Sequence, residues 1–277
     1  MRLYLIEIYK VFTRRRSYIG FAAIFFVVIL LLLAVNYEGK AVLDFVTKNL
    51  KDAFSFQGNL VNGNLFAHIV LRSLWVHIPL LVVMVTGDLV SGEYESGTFR
   101  MVLSRPVSRF TIITSKFVAG TIYVVLIVLF LAVMSLGLGY IFLGNGDLLV
   151  TKDTINIFNA DDTLWRFALA YLFGILSMLT VAALSMFLST VFDNSITAIL
   201  SSLAIVIVLT FLSTFSVPVI VYIRPFLFTT YMSGWQAFFD FSINYQQILI
   251  EVIVLLVHII TFYLLSLFVF LKKDILT

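Results

Sequence analysis

The sequence predicts an all-α integral membrane protein with six transmembrane helices, and three observations predict it. First, hydrophobic residues fill 61% of the 277 positions and charged residues only 12%, where soluble domains run at roughly 45–50% and about 25%. Mean hydropathy is +1.09. Too few polar side chains remain to clothe a water-facing surface of this size, so lipid is the expected solvent for much of the chain. Second, six long apolar runs follow one another, each near the roughly 20 residues a helix needs to cross a bilayer. Third, basic residues gather at the ends of alternate runs, which is the pattern that fixes topology. That placement accounts for the net charge of +3 without nucleic acid. There is no cysteine, which excludes disulfides, thiolate nucleophiles and thiolate metal sites.

The chain opens with Arg2–Arg16, which reads as an amphipathic helix. Leu5, Ile8, Tyr9 and Phe12 share one face, and Glu7, Lys10 and Arg14 share another. Such a helix is expected to lie on the inner membrane surface; the alternative is a positive flank that only fixes topology. The first span is Tyr18–Val35, too long for a signal-peptide core and followed by no cleavage site, so it is expected to stay as an anchor. Ala41–Phe56 reads as a second surface helix, with Asp44, Lys48 and Asp52 at four-residue spacing. The second span is Leu65–Gly87, the third Phe117–Gly146, the fourth Phe167–Phe192, the fifth Ser195–Ile223 and the sixth Ile248–Leu271. Between the last two, Pro218–Tyr245 is apolar but broken by Pro218, Pro225 and Gly234, and reads as a re-entrant or interfacial pair of short helices or an aromatic-rich outer loop.

Placing the segments richest in Lys and Arg inside puts both termini in the cytoplasm of a cell whose plasma membrane the chain crosses several times. Residues 1–277 read as one membrane domain, with no linker and no evident internal repeat. Ser and Thr residues with Gly174 along spans four and five (among them Ser177, Thr180, Ser185 and Ser189) allow close packing, either within the chain or at a dimer seam.

The inner loop after the second span is the most polar cytoplasmic stretch. Ser96 is placed to cap a short helix over Gly97–Leu103, Pro106 breaks the chain, and Ser108 is placed to cap a helix leading into the third span. Helix, exposed short helix, turn and helix would present a small knob to a cytoplasmic partner.

This loop carries a resemblance. Glu93-Tyr94-Glu95-Ser96-Gly97-Thr98, followed by Leu103, Pro106-Val107-Ser108-Arg109 and Lys116, resembles the signature of ABC transporter permeases of the type-2 exporter superfamily, which includes multidrug and antibiotic exporters and permeases for copper-enzyme maturation. The basic N-terminal helix with Glu7 and Lys10, the six spans and the broken segment before the last span extend the likeness over the whole chain. The one departure is Met101-Val102-Leu103 where paired leucines are common.

The resemblance implies an ATPase-coupling site of Glu93, Glu95, Gly97, Thr98, Leu103, Arg105, Pro106 and Arg109, and an interface helix carrying Glu7, Lys10 and Arg14. The short helix around 97–103 would dock on a separate cytoplasmic ATPase, with Arg105 and Arg109 as candidate partners for the two glutamates. It also implies two ATPase subunits, a second permease copy or paralogue, membrane lipid around the spans and an extracytoplasmic accessory protein. Without the resemblance, the same charges read equally well as solvated loop residues that fix orientation.

This chain has no G-x-x-x-x-G-K-[ST] loop, so ATP and Mg are expected on the partner, and no cofactor, metal or catalysis on this polypeptide. His68, His77 and His258 are scattered without metal spacing. Only Arg72 and Glu251 read as ionisable groups within spans, both near outer ends, which disfavours an ion-coupled secondary transporter. That carrier, and a non-transporting scaffold or sensor built on the permease fold, are the alternatives.

Overall fold

The computed structural model describes residues 2–46, 61–99, 107–151, 155–215 and 218–273. Helix α1 spans Arg2–Thr13 and α2 spans Arg15–Val46. Then come α3 (Gly63–Leu74), α4 (Ile78–Thr86) and the five-residue α5 (Ser91–Glu95). Helix α6 runs Arg109–Leu143 and is followed by a hairpin of β1 (Leu148–Thr151) and β2 (Ile155–Phe158). Helix α7 covers Thr163–Val191 and α8 covers Ser195–Thr214. A broken stretch holds α9 (Pro218–Ile223), α10 (Phe228–Tyr231) and two 3-10 turns, and α11 (Tyr245–Lys272) closes the chain.

The protein is a multi-pass α-helical membrane protein. Among the described residues five helices are long and apolar enough to cross a bilayer, and α3 with α4 forms a sixth candidate bent by 54°. Helix α7 is the axis of the bundle: α11, α6, α4 and α8 all pack on it. In its most apolar stretch 67% of residues are buried, against 17% for α11. The small residues of α7 explain that position, because Gly174, Ser177, Thr180, Ser185 and Ser189 are all buried. Thr86 and Ser185 share a hydrogen bond of 2.5 Å, and Ser177 donates to the Met232 carbonyl. For this helix the small residues serve packing within the chain.

Several boundaries differ from those expected. Leu65–Gly87 is not one continuous span: it turns at 75–77, because Pro79 lacks an N–H and cannot continue the helix from α3. The fifth span ends at Thr214 rather than Ile223, with Pro218 opening a separate short helix. The third begins at Arg109, eight residues before Phe117, where Ser108 accepts a hydrogen bond from the Thr111 N–H and caps it as expected. Residues 41–46 of the expected second surface helix simply prolong α2, past a non-helical Glu38, and the rest of that segment lies outside the described residues. The hairpin adds a strand pair to the expected all-α fold, pairing Leu148 with Phe158 in antiparallel register.

The bundle has two distinct ends. One, the charged end, gathers α1, α5, the start of α6, the α7–α8 turn and the last residues of α11. The other, the hairpin end, gathers the start of α3, the β-hairpin and the 218–245 stretch.

Candidate functional site

The site is built around α5. Ser91 anchors it: its N–H and that of Val90 both donate to Ser189 Oγ on α7, at 2.9 and 3.1 Å. The next residues reach different neighbours. Glu93 is buried and accepts from Lys10 Nζ of α1 at 2.9 Å and pairs with Lys116 Nζ of α6 at 2.8 Å. Both lysines also bind Glu7, at 2.7 and 2.9 Å, closing a four-membered ring of two carboxylates and two ammonium groups. Lys116 is only 1% exposed. A lone buried ammonium would be severely penalised, and here two carboxylates compensate it.

Tyr94 stacks on Phe99 at 4.6 Å, and Lys273, the cap of α11, lies 4.3 Å over the Tyr94 ring. Glu95 accepts from the Ser195 N–H at 3.0 Å and from Asn194 Nδ2 at 3.2 Å, so it sits at the N-terminus of α8. A carboxylate there satisfies an unpaired N–H and the positive end of the helix dipole. Just before α5, the buried Asp88 pairs with Arg14 and with Arg16 of α2, the latter at 3.0 Å, and accepts from the Ser195 hydroxyl. One short helix with its lead-in is therefore fastened by side chains to α1, α2, α6, α7, α8 and the end of α11.

Burial disfavours charge on Glu93, but the fields and hydrogen bonds of Lys116 and Lys10 outweigh it and hold its pKa below the ordinary 4.5. Burial likewise works against charge on Lys10, and Glu7 and Glu93 overcome it, holding its pKa above 10.5. Both shifts favour the charged forms of Glu93 and Lys10.

The loop beyond α5 departs from the expected pattern. Ser96 closes α5 as its C-cap instead of opening the next helix, and Gly97 follows with φ +66°. That left-handed residue is the usual way to end a helix, and glycine takes it without strain. Thr98 completes the turn through Ser96 Oγ at 2.9 Å. Leu103, Arg105 and Pro106 lie outside the described residues.

Arg109 is not the partner of the two glutamates: it donates to the carbonyls of Phe270, Leu271 and Lys273 at 3.0–3.2 Å, because the frayed end of α11 offers it free acceptors. The interface helix departs from the expectation on its charged face. Glu7 points into the protein, while Leu5 and Tyr9 are 65% and 71% exposed. The charged face of α1 grips the bundle, while on the apolar face Leu5 and Tyr9 look outward and Ile8 and Phe12 pack against the core.

Lys116, Asp88, Asn194 and Lys273 were missing from the expected coupling residues. The available signal was Lys116, an ammonium at the start of an otherwise uncharged run, which demands a buried counter-charge. Among the described residues no group of three or more His, Cys, Asp or Glu side chains is placed to hold a metal ion.

Fold and site together define a multi-pass helical membrane protein whose charged end is organised by one short helix. Residues 23–276 match the family described as "Protein of unknown function (DUF2705)", and the chain belongs to that family. It is also similar to "Uncharacterized protein YhcI" of Bacillus subtilis (strain 168), at 28% identity over 207 residues. That alignment covers 71% of this chain and 64% of the relative, so the chain spans a little under two thirds of that protein's length.

Proposed function

We propose that this chain is the transmembrane subunit of an ATP-driven exporter, powered by a separate cytoplasmic ATPase that docks on the loop 91–109. In this reading the chain crosses the plasma membrane six times with both termini in the cytoplasm, and the charged end is the cytoplasmic end. The lysines and arginines of α1, α2, α6 and α11 collected there support that orientation.

The observation that carries the proposal is the fastening of α5. A loop that merely fixed topology would leave Glu93 in solvent and Glu95 without a partner in the protein. Instead, Glu93 is buried against α1 and α6, and Glu95 holds the start of α8. A displacement applied at Gly97, where α5 ends, would reach α1, α6, α7 and α8 through the direct contacts of α5, and packed, rigid elements move as bodies. Two ATPases closing on ATP and Mg would thus rock two permease subunits against each other and open a path outward. This chain performs no catalysis itself.

The test is affinity purification of the full chain from its native membrane in mild detergent, beside a Glu95→Ala, Gly97→Pro variant. Co-purification of an ATPase with the natural chain, and its loss or uncoupling in the variant, is the expected result. No ATPase with either chain would sink the reading and turn attention to an ion-coupled carrier. An ATPase whose turnover is coupled to no measurable export would favour the scaffold or sensor.

A further inference from the structure

An open cleft of about 510 Å³ lies beside α5, walled by Arg14, Arg15, Arg16, Asp88, Glu95 and Ser96 among others. Three guanidinium groups face two carboxylates, a local balance of one positive charge. The carboxylates are already engaged: Asp88 by Arg14, Arg16 and Ser195, Glu95 by the start of α8. Arg15 is exposed and makes no hydrogen bond or ion pair with any described residue.

Arg15 also heads a particular surface. It is the first residue of α2, and directly beyond it Tyr18, Ile19, Phe25 and Phe26 are 49–63% exposed. At about 1.5 Å per residue, the stretch from 15 to 26 is about 17 Å long. That is close to half of the roughly 30 Å hydrocarbon core, the depth of one leaflet. An unpaired cation at the boundary of an apolar wall one leaflet deep is complementary to a molecule with an anionic head and an acyl tail. Guanidinium forks suit phosphate oxygens in particular.

We propose that the Arg15 cleft binds the head group of an anionic phospholipid, with its phosphate on Arg15 and Arg16 and an acyl chain lying along Tyr18–Phe26. The site does not depend on the ATPase reading, since it needs only that α2 stands in a bilayer.

The test is native mass spectrometry of the full chain released from detergent, titrated with phosphatidylglycerol or with phosphatidylcholine of matched acyl chains. Phosphatidylglycerol should be retained preferentially. Arg15→Ala should weaken its retention about fivefold, the effect of one basic residue at a lipid surface, with an unchanged melting temperature because Arg15 bonds to none of the described residues. Equal retention of the two lipids, or retention indifferent to Arg15→Ala, would overturn the proposal. Displacement of the lipid by equimolar inorganic phosphate would assign the cleft to a free anion and overturn it too. So would an Arg15→Ala chain that keeps its lipid but loses a protein partner.

Discussion

At the charged end, α1, α5 and α6 meet through Glu7, Lys10, Glu93 and Lys116; at the hairpin end, segments equally distant in sequence meet through side chains bonded to backbone carbonyls. Arg166 donates to the carbonyls of Phe238 and Asp240 at 2.8 and 3.2 Å, Asn62 to that of Asp147 at 2.7 Å, and Asn64 to that of Gly146 at 2.6 Å. His68, Trp75, Trp235 and Phe239 pack edge to face or tilted around them. Backbone carbonyls and the indole and phenyl rings do not titrate. A carboxylate–ammonium ring does, and every one of its members must keep its partner. One end is built to hold a shape, the other to hold it conditionally.

That contrast is open to breaking. Acid should have the largest effect. The folded pKa of Glu93 lies below its ordinary 4.5, so its stabilisation is complete above about that pH and is lost as pH falls through the folded value. Lys10 lies above 10.5, so its share is complete below that value and is lost as pH rises through the folded one. Hydrogen exchange over residues 2–13 should therefore show most protection between these limits. It should collapse toward pH 3, while residues 163–173 near the hairpin stay protected. Equal loss at both ends would erase the distinction.

Lys116→Met comes next. It strands two buried carboxylates on the single ammonium of Lys10, and breaking such an arrangement costs about 3–5 kcal/mol. A drop in melting temperature in detergent, largely reversed by adding Glu93→Gln, would confirm that charge and not shape is at issue.

Gly234→Ala is the matching lesion at the hairpin end. A methyl there would run into the Glu251 carboxylate and the Phe173 ring. Overpacking of this kind costs about 1–3 kcal/mol. The loss should be the same at pH 5 and pH 8, in contrast to lesions of the ring.

Gly97→Ala should be the mildest, about 1–2 kcal/mol, from the left-handed backbone alone. Among the described residues nothing lies within 4 Å of the added methyl, so none of them clashes with it. Its melting temperature should fall less than that of Lys116→Met; a larger fall would mean that the turn supports more than its own backbone.

The spans were legible because lipid enforces long uncharged runs, and the caps of α6 and the breaks at Pro218 and Pro225 were legible because serine and proline act locally. The kink at 75–77 is written in Pro79, inside a run that hydropathy alone makes continuous. The hairpin was hidden because each strand is four residues long, too short for an alternating pattern to show. In the site, Glu93, Glu95, Glu7 and Lys10 were found through a family likeness, and their placement on facing elements was not. Which lysine meets which glutamate depends on how α1 rolls, and helical periodicity fixes the faces of α1 without saying which one turns inward. The apolar face was assigned to the membrane and the charged face to water. The first assignment agrees with the exposure of Leu5 and Tyr9, whereas Glu7 is buried in the bundle.

Helix α6 is 35 residues long, or about 52 Å at 1.5 Å per residue. A hydrocarbon core takes up about 30 Å of that, which leaves about 22 Å of rigid rod to be shared between the two aqueous sides. The foot of the rod carries Arg109 and Ser108, and the loop from Gly97 is tied to it. Head groups on the two faces take up about a further 10–15 Å, so the rod clears the bilayer by only a turn or two of helix in all, and Arg109 at its foot stands at about the level of the head groups.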